Sequence, residues 1–349
     1  MAVSGSGVTY AAWNPLPPGA APSPSGLPSG PWMIAVAPRN GDFSKPRNLL
    51  PAGGELLDLA SGPAGQVLAV WEKVDRSRLH GSLDSALLGS NGQRGRTVQI
   101  SKLQIDDSQP EIAVNDEGAI AAAWTRGETN GGAPGLPRVP DRLRFVLCTP
   151  AGQCTLRPSV EVFREDRWAP FVTVDLTDDG TVCLLIHTGN GGALTAIVSR
   201  GGRAFSHAQT IAPEAGFQTA TVVGRNGVLT VFPGPVVDNE LSGWLRWSLL
   251  APNSTRFGKS HVIKNATGNF PPQLAANLAG RFVITFGAKR GDDRLAATGS
   301  DRGLSHHYLT VSKAWALVPG IDGTGNAIVV WNTISDHVQR GVFAAFQHA

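Results

Sequence analysis

The sequence predicts an all-β fold, and three observations support this prediction. The 349-residue chain contains 42 Gly and 25 Pro, the residues that tight turns require, and only 16% of its residues are charged. Apolar and polar residues alternate along many short segments, which is typical of half-buried strands. A glycine followed by an alternating apolar run and an aromatic residue recurs along the chain, which indicates a repeat of one strand-rich unit.

The repeat is defined by an anchor glycine and an aromatic residue six positions later. Successive anchors are 45 to 62 residues apart, with Asn replacing the glycine once and Ile replacing the aromatic residue once. Because each aromatic residue lies inside an alternating strand, we expect it to pack between neighbouring sheets. The seven copies run from Gly7 to Trp13, Gly65 to Trp71, Gly118 to Trp124, Gly180 to Ile186, Asn226 to Phe232, Gly280 to Phe286 and Gly325 to Trp331.

Each unit holds four predicted strands. A short strand and a polar turn precede the anchor, the alternating run is the second strand, and a loop of variable length leads to the third, for example at residues 32–37 and 193–199. A tight turn leads to the fourth. Four antiparallel strands repeated seven times predict a seven-bladed β-propeller, because stacked blades cover both faces of each sheet. The predicted single domain spans residues 1–349, with blades at about 1–50, 51–104, 105–163, 164–212, 213–264, 265–312 and 313–349.

The last blade is predicted to be incomplete. Residues 341–349 align with a third strand, and no fourth strand follows in this sequence. An outer strand from upstream of Met1, a blade of only three strands, or a strand from a partner chain would each explain the gap, and we favour the upstream extension. No basic region followed by an apolar stretch marks a signal peptide near Met1.

Composition excludes several classes of protein. The hydrophobic fraction of 42% argues against intrinsic disorder, and the glycines lack the three-residue period of collagen. No apolar run approaches 18 residues, so no membrane span is predicted. The net charge of +3 is small for this length, so nucleic acid is not an expected partner.

The turns between third and fourth strands, at residues 38–50, 199–211, 252–263 and 300–311, each contain a glycine, a Phe or Leu and a serine, which are adjacent in Gly303-Leu304-Ser305. These turns resemble degenerate Asp-box turns of the sialidase-like propeller superfamily, and the strand pattern is similar to repeats of uncharacterised secreted bacterial propellers. The resemblance implies a propeller fold. A sialidase of that superfamily would also carry an arginine triad, a tyrosine–glutamate pair and an acid/base aspartate, whereas Tyr10 and Tyr308, the two tyrosines of this chain, lie in predicted strands.

Strand order places the loops between second and third strands, and the connections between blades, at one end of the sheets. These loops vary most in length and are enriched in charged residues, so we predict that a ligand binds there. Arginine and aspartate near a tryptophan suit a sugar, because its hydroxyl groups need donors and acceptors. The predicted ligand-binding residues are Asp75, Arg76, His80, Arg126, Arg138, Asp141, Arg164, Asp166, Trp168, His187, Asp238, Arg290, Asp292 and His337.

Two cysteines, Cys148 and Cys154, flank a predicted hairpin turn between a third and a fourth strand. Cysteines opposite each other in a hairpin satisfy disulfide geometry, and two reduced thiols are the alternative. A disulfide would indicate an oxidising compartment, so we expect an extracellular or cell-surface protein. Cys183 lies in an apolar run and is predicted to be buried.

The sequence contains no motif for an activated nucleophile, a zinc protease or a phosphate-binding loop. No cofactor is predicted; the alternative is Ca²⁺ held by Asp106 and Asp107 or by Asp292 and Asp293. The first hypothesis for function is a non-catalytic binding propeller that recognises carbohydrate or a protein partner through its variable loops. The alternatives are a glycoside hydrolase or polysaccharide lyase on the same scaffold, and a structural role in an assembly.

Overall fold

The computed structural model of the chain is all-β and divides into two compact units, Met1–Val162 and Phe163–Ala349. Among the described residues, no helix is long and apolar enough to cross a membrane. The prediction of one domain over the whole chain stays a prediction. The structure describes all residues except 1, 4–7, 16–30, 39–40, 52–53, 62–66, 76–79, 105–109, 116, 127–140, 163–170, 189–191, 202–203, 217–218, 225–226, 235–243, 268–270, 278, 289–292, 301–302, 313, 322–323, 336–337 and 348–349.

The first unit contains three sheets of four antiparallel strands, each in chain order across the sheet. The first sheet consists of β1 (Ala2–Val3), β2 (Thr9–Trp13), β3 (Trp32–Ala37) and β4 (Arg47–Leu50). The second consists of β5 (Gly54–Ser61), β6 (Val67–Asp75), β7 (His80–Leu88) and β8 (Val98–Gln104). The third consists of β9 (Glu111–Val114), β10 (Ile120–Arg126), β11 (Asp141–Cys148) and β12 (Cys154–Val162).

The second unit begins with a sheet of β13 (Phe171–Leu176), β14 (Val182–His187), β15 (Leu194–Ser199) and β16 (Gln209–Ala212). The next four strands are β17 (Ala220–Gly224), β18 (Gly227–Pro233), β19 (Trp244–Leu250) and β20 (His261–Thr267). They are followed by β21 (Gln273–Ala276), β22 (Arg281–Ala288), β23 (Arg294–Ser300) and β24 (Gly303–Val311). The last strands are β25 (Ala314–Ile321), β26 (Ala327–Ser335) and β27 (Val338–Gln347).

Strand pairing confirms the predicted all-β class and the unit of four antiparallel strands. A short pairing between β20 and β22 joins two of these groups of four strands, β17 to β20 and β21 to β24, into one eight-stranded sheet. The last described sheet has three strands, β25 to β27. The predicted count of seven blades stays a prediction.

Alternation along β6 shows how the sheets of the first unit pack. Neighbouring side chains of a strand point to opposite faces of its sheet. Val67, Ala69 and Trp71 therefore join an apolar cluster with residues of the preceding sheet. Leu68 and Val70 join a different cluster with residues of the following sheet. Each pair of neighbouring sheets in this unit thus has its own apolar core.

The second unit repeats this arrangement around β18. Val228 and Phe232 belong to a cluster shared with the preceding sheet. Leu229 and Val231 belong to a cluster shared with β21 to β23. A further cluster packs those strands against the last sheet. The face-to-face packing of sheets covers the apolar side chains that alternation places on both faces.

Most aromatic residues at the anchor positions pack as predicted. Trp71, Trp124, Phe232 and Phe286 are buried, each in the cluster shared with the preceding sheet. Trp13 differs, because its side chain is 37% exposed. The prediction that Trp13 is buried is wrong.

One turn recurs between the first and second strands of several sheets. Gly118 and Gly280 have φ values of +82° and +78°, a conformation that glycine adopts without strain. Three residues earlier, the side-chain oxygen of Asn115 or Asn277 accepts a hydrogen bond from the backbone N–H that follows the glycine. In the fifth repeat, Gly227 has a φ of +111° and lies one position after the predicted anchor.

A serine closes the turn after the third strand in the first and fourth sheets. The backbone N–H of Ser44 donates to the carbonyl oxygen of Val36 at 2.8 Å, and its hydroxyl oxygen accepts from the N–H of Val36 at 3.1 Å. Ser206 makes the same two bonds with Val198, at 2.7 and 3.1 Å. These bonds give the recurring serine a structural role, and the finer assignment to the sialidase-like superfamily stays a prediction.

The hairpin between β11 and β12 carries a disulfide between Cys148 and Cys154. The two residues are direct partners in the strand register, and their Cα atoms are 4.0 Å apart. Cys148 also belongs to the apolar core between the second and third sheets, so the bridge ties the hairpin to that core. Cys183 is buried, and burial, with a smaller effect of the nearby Asp175, raises the pKa of its thiol.

Candidate functional site

Most of the ligand-binding residues predicted from the sequence cannot be placed relative to one another. Asp75 at the end of β6 pairs with His80 at the start of β7, and Asp141 begins β11; only the backbone of these three is described. The predicted residues outside the described part are Arg76, Arg138, Arg164, Asp166, Trp168, Asp238, Arg290, Asp292 and His337. Contact between a ligand and these residues stays a prediction.

The side chains of Arg126 and His187 are described. Arg126 ends β10 and is half-buried. His187 ends β14, is only 3% exposed, and has its Nε2 2.9 Å from the carbonyl oxygen of Ala215. Because a carbonyl oxygen can only accept, Nε2 carries the proton and donates it. This bond holds the segment that leads to the next sheet, and a role of His187 in ligand binding stays a prediction.

A cleft of about 520 Å³ lies at the other end of the sheets of the second unit, where the short turns are. The β13–β14 turn lines it, together with Gly224 and Gly227 at the ends of β17 and β18, the turn after β19, and Ala279 from the turn after β21. Leu250 and Pro252 contribute apolar surface. Its polar lining residues are Thr177, Asp178, Asp179, Thr181, Asn253 and Ser254.

Asp179 is held by the turn to which it belongs. The backbone N–H of Thr181 donates to Oδ1 of Asp179 and to the hydroxyl oxygen of Thr177, both at 3.0 Å. The Thr177 hydroxyl also donates to Oδ1 of Asp179. Gly180 completes the turn with an N–H bond to the carbonyl of Thr177 at 3.0 Å and a φ of +74°. The carboxylate is therefore oriented before any ligand binds.

Arg200 links the turns of two neighbouring sheets. Its Nη2 lies 2.9 Å from Oδ2 of Asp179 and 3.0 Å from Oδ1 of Asn253. Asn253 has a φ of +64°, a left-handed conformation that asparagine tolerates better than most residues. We call Asp179, Arg200 and Asn253 the polar edge of the cleft. Its three planar groups are joined by hydrogen bonds across the two sheets.

The carboxyl group of Asp179 is ionised at neutral pH. Partial burial raises its pKa, but hydrogen bonds from Thr177, Thr181 and Arg200 together outweigh burial and hold the pKa below its ordinary value. At neutral pH the group therefore accepts hydrogen bonds and is not a proton donor.

Protonation of Asp179 is expected to weaken the polar edge. Because its pKa is lower in the folded than in the unfolded protein, its ionisation stabilises the fold above the unfolded pKa, and this contribution is lost as the pH falls through the folded pKa. We expect Asp179→Asn to lower the melting temperature at pH 7 slightly and to match the parent protein at acid pH. The effect is small because the side chain is 51% exposed. Melting curves against pH test this, with Asp178→Asn as the control; identical curves for both variants would contradict the prediction.

Among the described residues, no group of three His, Cys, Asp or Glu side chains could hold a metal ion. Asp106, Asp107 and Asp292 lie outside that part of the chain, so the Ca²⁺ alternative stays a prediction. In the cleft, Arg200 already occupies the carboxylate of Asp179, and a cation there would need to displace it.

This cleft lies away from the long, charged loops in which the sequence predicts a ligand site. A signal was present in the aspartate pair of the β13–β14 turn, which lies within the recurring turn that ends in a glycine. Asn253 begins the glycosylation sequon Asn253-Ser254-Thr255, but nothing in the local sequence shows that its turn meets the turn of another sheet.

No protein-family model matches the chain, and no curated protein sequence matches it. Among solved structures, the chain is similar to an acylaminoacyl peptidase, with 10% identity and a TM-score of 0.55, over 90% of this chain and 46% of the other. It is also similar to the β-propeller domain of the Trilobed protease from Pyrococcus furiosus, with 8% identity and a TM-score of 0.49, over 84% of this chain and 81% of that domain.

A third similar structure is the six-bladed β-propeller lectin of Aleuria aurantia, with 8% identity and a TM-score of 0.44, over 81% of this chain and 87% of the other. Sheets of four antiparallel strands packed face to face are the architecture of such proteins. The structure shows the all-β class and the unit of four antiparallel strands, and the closed propeller stays a prediction. The chain spans about half the length of the acylaminoacyl peptidase, and these likenesses concern the fold alone.

Proposed function

We propose that this chain is a non-catalytic, seven-bladed β-propeller that binds a neutral carbohydrate in the cleft of its second unit. The observation that carries the proposal is the polar edge, in which Asp179, Arg200 and Asn253 are held in place by hydrogen bonds. Sugar hydroxyls both donate and accept hydrogen bonds, so they suit fixed carboxylate and amide groups. A preformed site also loses less side-chain entropy when the ligand binds.

The donors and acceptors of the cleft are distributed for such a ligand. The ionised Asp179 accepts from hydroxyl groups. Asn253 uses its Oδ1 to accept from Arg200, which leaves the donor end of its amide for a ligand. Leu250 and Pro252 supply the apolar surface that the C–H groups of a sugar ring can cover.

Charge supports a neutral rather than an acidic sugar. Asp178 and Asp179 line the cleft, and Arg200 already pairs with Asp179. A sialic or uronic acid would therefore bring its carboxylate towards two carboxylates, while the Arg200 guanidinium is already engaged by Asp179 and Asn253, which is unfavourable. A glycoside hydrolase needs a carboxylic acid with a raised pKa as proton donor, whereas the pKa of Asp179 is lowered.

The disulfide between Cys148 and Cys154 supports an extracellular or cell-surface location, because disulfides persist in oxidising compartments. The charged variable loops at the other end of the sheets remain candidates for contact with a second ligand or a protein partner.

Screening the full chain on an array of neutral and acidic glycans tests the proposal. We expect binding to neutral glycans, with affinity reduced about tenfold or more in Asp179→Asn and Asn253→Ala, since each removes a hydrogen bond to or near a charged group. The matched control is Asn91→Ala, because Asn91 also orders a turn through its side chain but lies in the first unit. Absence of binding to any glycan, or turnover of a bound glycan that Asp178→Asn abolishes, would overturn the proposal.

A further inference from the structure

A second, smaller cavity opens beside the cleft. Its volume is about 20 Å³, and it lies between β17, β18 and β19 on one side and β21 and β22 on the other. Gly224 and Gly227 line both this cavity and the cleft. We call it the apolar slot. A volume of this size admits one group of about the size of a water molecule or a methyl group.

The walls of the slot favour the methyl group. Val222, Leu229, Leu249, Ala276 and Phe282 face it, so almost all of its surface is apolar. A hydroxyl group or a water molecule placed there would lose its hydrogen bonds to bulk water without finding partners, at a cost of about 1–3 kcal/mol. A methyl group would instead gain the free energy of apolar burial.

Two glycines, Gly224 and Gly227, line both the cleft and the slot. A Cβ atom at Gly224 would lie 3.3 Å from the carbonyl oxygen of Asn277 and 3.6 Å from Cβ of Ala276, within the narrow space between the two sheets. A Cβ atom at Gly227 would collide with the carbonyl oxygen of Leu250. Side chains at these two positions would occupy the border that the slot shares with the cleft.

We propose that the ligand is a neutral sugar with a methyl-bearing substituent, a 6-deoxyhexose or an N-acetylhexosamine, whose hydroxyl groups contact the polar edge while its methyl group enters the apolar slot. This inference rests on the proposed function. It adds a specificity site, because the slot distinguishes sugars that offer the same hydroxyl pattern to the cleft but differ in one methyl group.

Calorimetric titration of the full chain with two pairs of free sugars tests the inference. L-Rhamnose differs from L-mannose by a methyl group in place of a hydroxymethyl group, and N-acetylglucosamine differs from glucose by its acetamido group. We expect one methyl-bearing sugar to bind at least fivefold more tightly than its counterpart, the ratio that burial of one methyl group and exclusion of one hydroxyl group support. The pair that shows the preference identifies the source of the methyl group.

The same titrations with a variant whose side chain fills the apolar slot are the second part of the experiment. Ala276→Val places two more carbon atoms in the slot, and Ala275→Val makes the same change on the neighbouring residue of β21, which lines neither cavity. We expect Ala276→Val to abolish the preference and Ala275→Val to retain it. Equal affinity within both pairs for the parent protein would overturn the inference and leave the proposed function intact. Absence of binding to all four sugars and to every arrayed glycan would overturn both.

Discussion

Replacing Trp124 with alanine is expected to lower the free energy of unfolding by about 3–5 kcal/mol, the usual cost of deleting a buried tryptophan. Trp124 is only 2% exposed and packs between the second and third sheets against residues that include Leu68 and Val70. Its indole N–H has no hydrogen-bond partner among the described residues, so the loss is one of packing. Denaturant unfolding followed by circular dichroism measures the change.

Trp13→Ala is the matched control for this experiment. Trp13 occupies the same position of the repeat, but its side chain is 37% exposed. Its removal is expected to cost less than the removal of Trp124, because part of the apolar surface of Trp13 is already in contact with water. Equal losses for the two variants would contradict the packing described for the anchor aromatic residues.

Replacing Gly227 with alanine is expected to destabilise the second unit by more than about 3 kcal/mol, because two costs coincide. Its φ of +111° is a conformation that L-residues rarely adopt. The added Cβ atom would also collide with the carbonyl oxygen of Leu250, which belongs to the paired strand β19. Backbone atoms held in a sheet cannot move aside cheaply, so both strands would have to separate locally.

Gly201→Ala separates the two costs. Gly201 also has a positive φ, +54°, but a Cβ atom there would have no atom within 4 Å. Only the conformational cost remains, and it is about 1–2 kcal/mol. Thermal unfolding of both variants provides the measurement. A Gly227→Ala variant that is no less stable than Gly201→Ala would show that β18 and β19 can shift to accept the side chain.

The strands were predictable because apolar and polar residues alternate along them with a period of two, which can be read directly from the sequence. Residues 32–37 were predicted as a third strand and form β3, and the predicted polar turns end at anchor glycines, of which Gly118, Gly180, Gly280 and Gly325 have a positive φ. Trp13 was mispredicted because the repeat reports a position within a sheet. Whether a neighbouring sheet covers that position depends on packing, which the repeat does not report.

The candidate site was much less predictable than the fold. Asp179 and Asn253 are 74 residues apart, and they meet through Arg200 only because the turns of two packed sheets lie side by side. A search for charged, variable loops favours the other end of the sheets, where length and charge vary most. The polar edge consists of ordinary turn residues, whose proximity is a property of packing and not of local sequence.

The separate apolar cores have a consequence for how the protein opens. Within each unit, no residue of β6 or β18 is shared between the clusters on the two faces of its sheet. The unfolding of one sheet is therefore coupled directly only to the sheets that pack against it, as in linear repeat proteins. Hydrogen exchange should then detect partial openings in which one interface between sheets has separated while the next remains closed. A ligand bound across two sheets would oppose the separation of their shared interface. It would therefore slow hydrogen exchange in that pair of sheets alone.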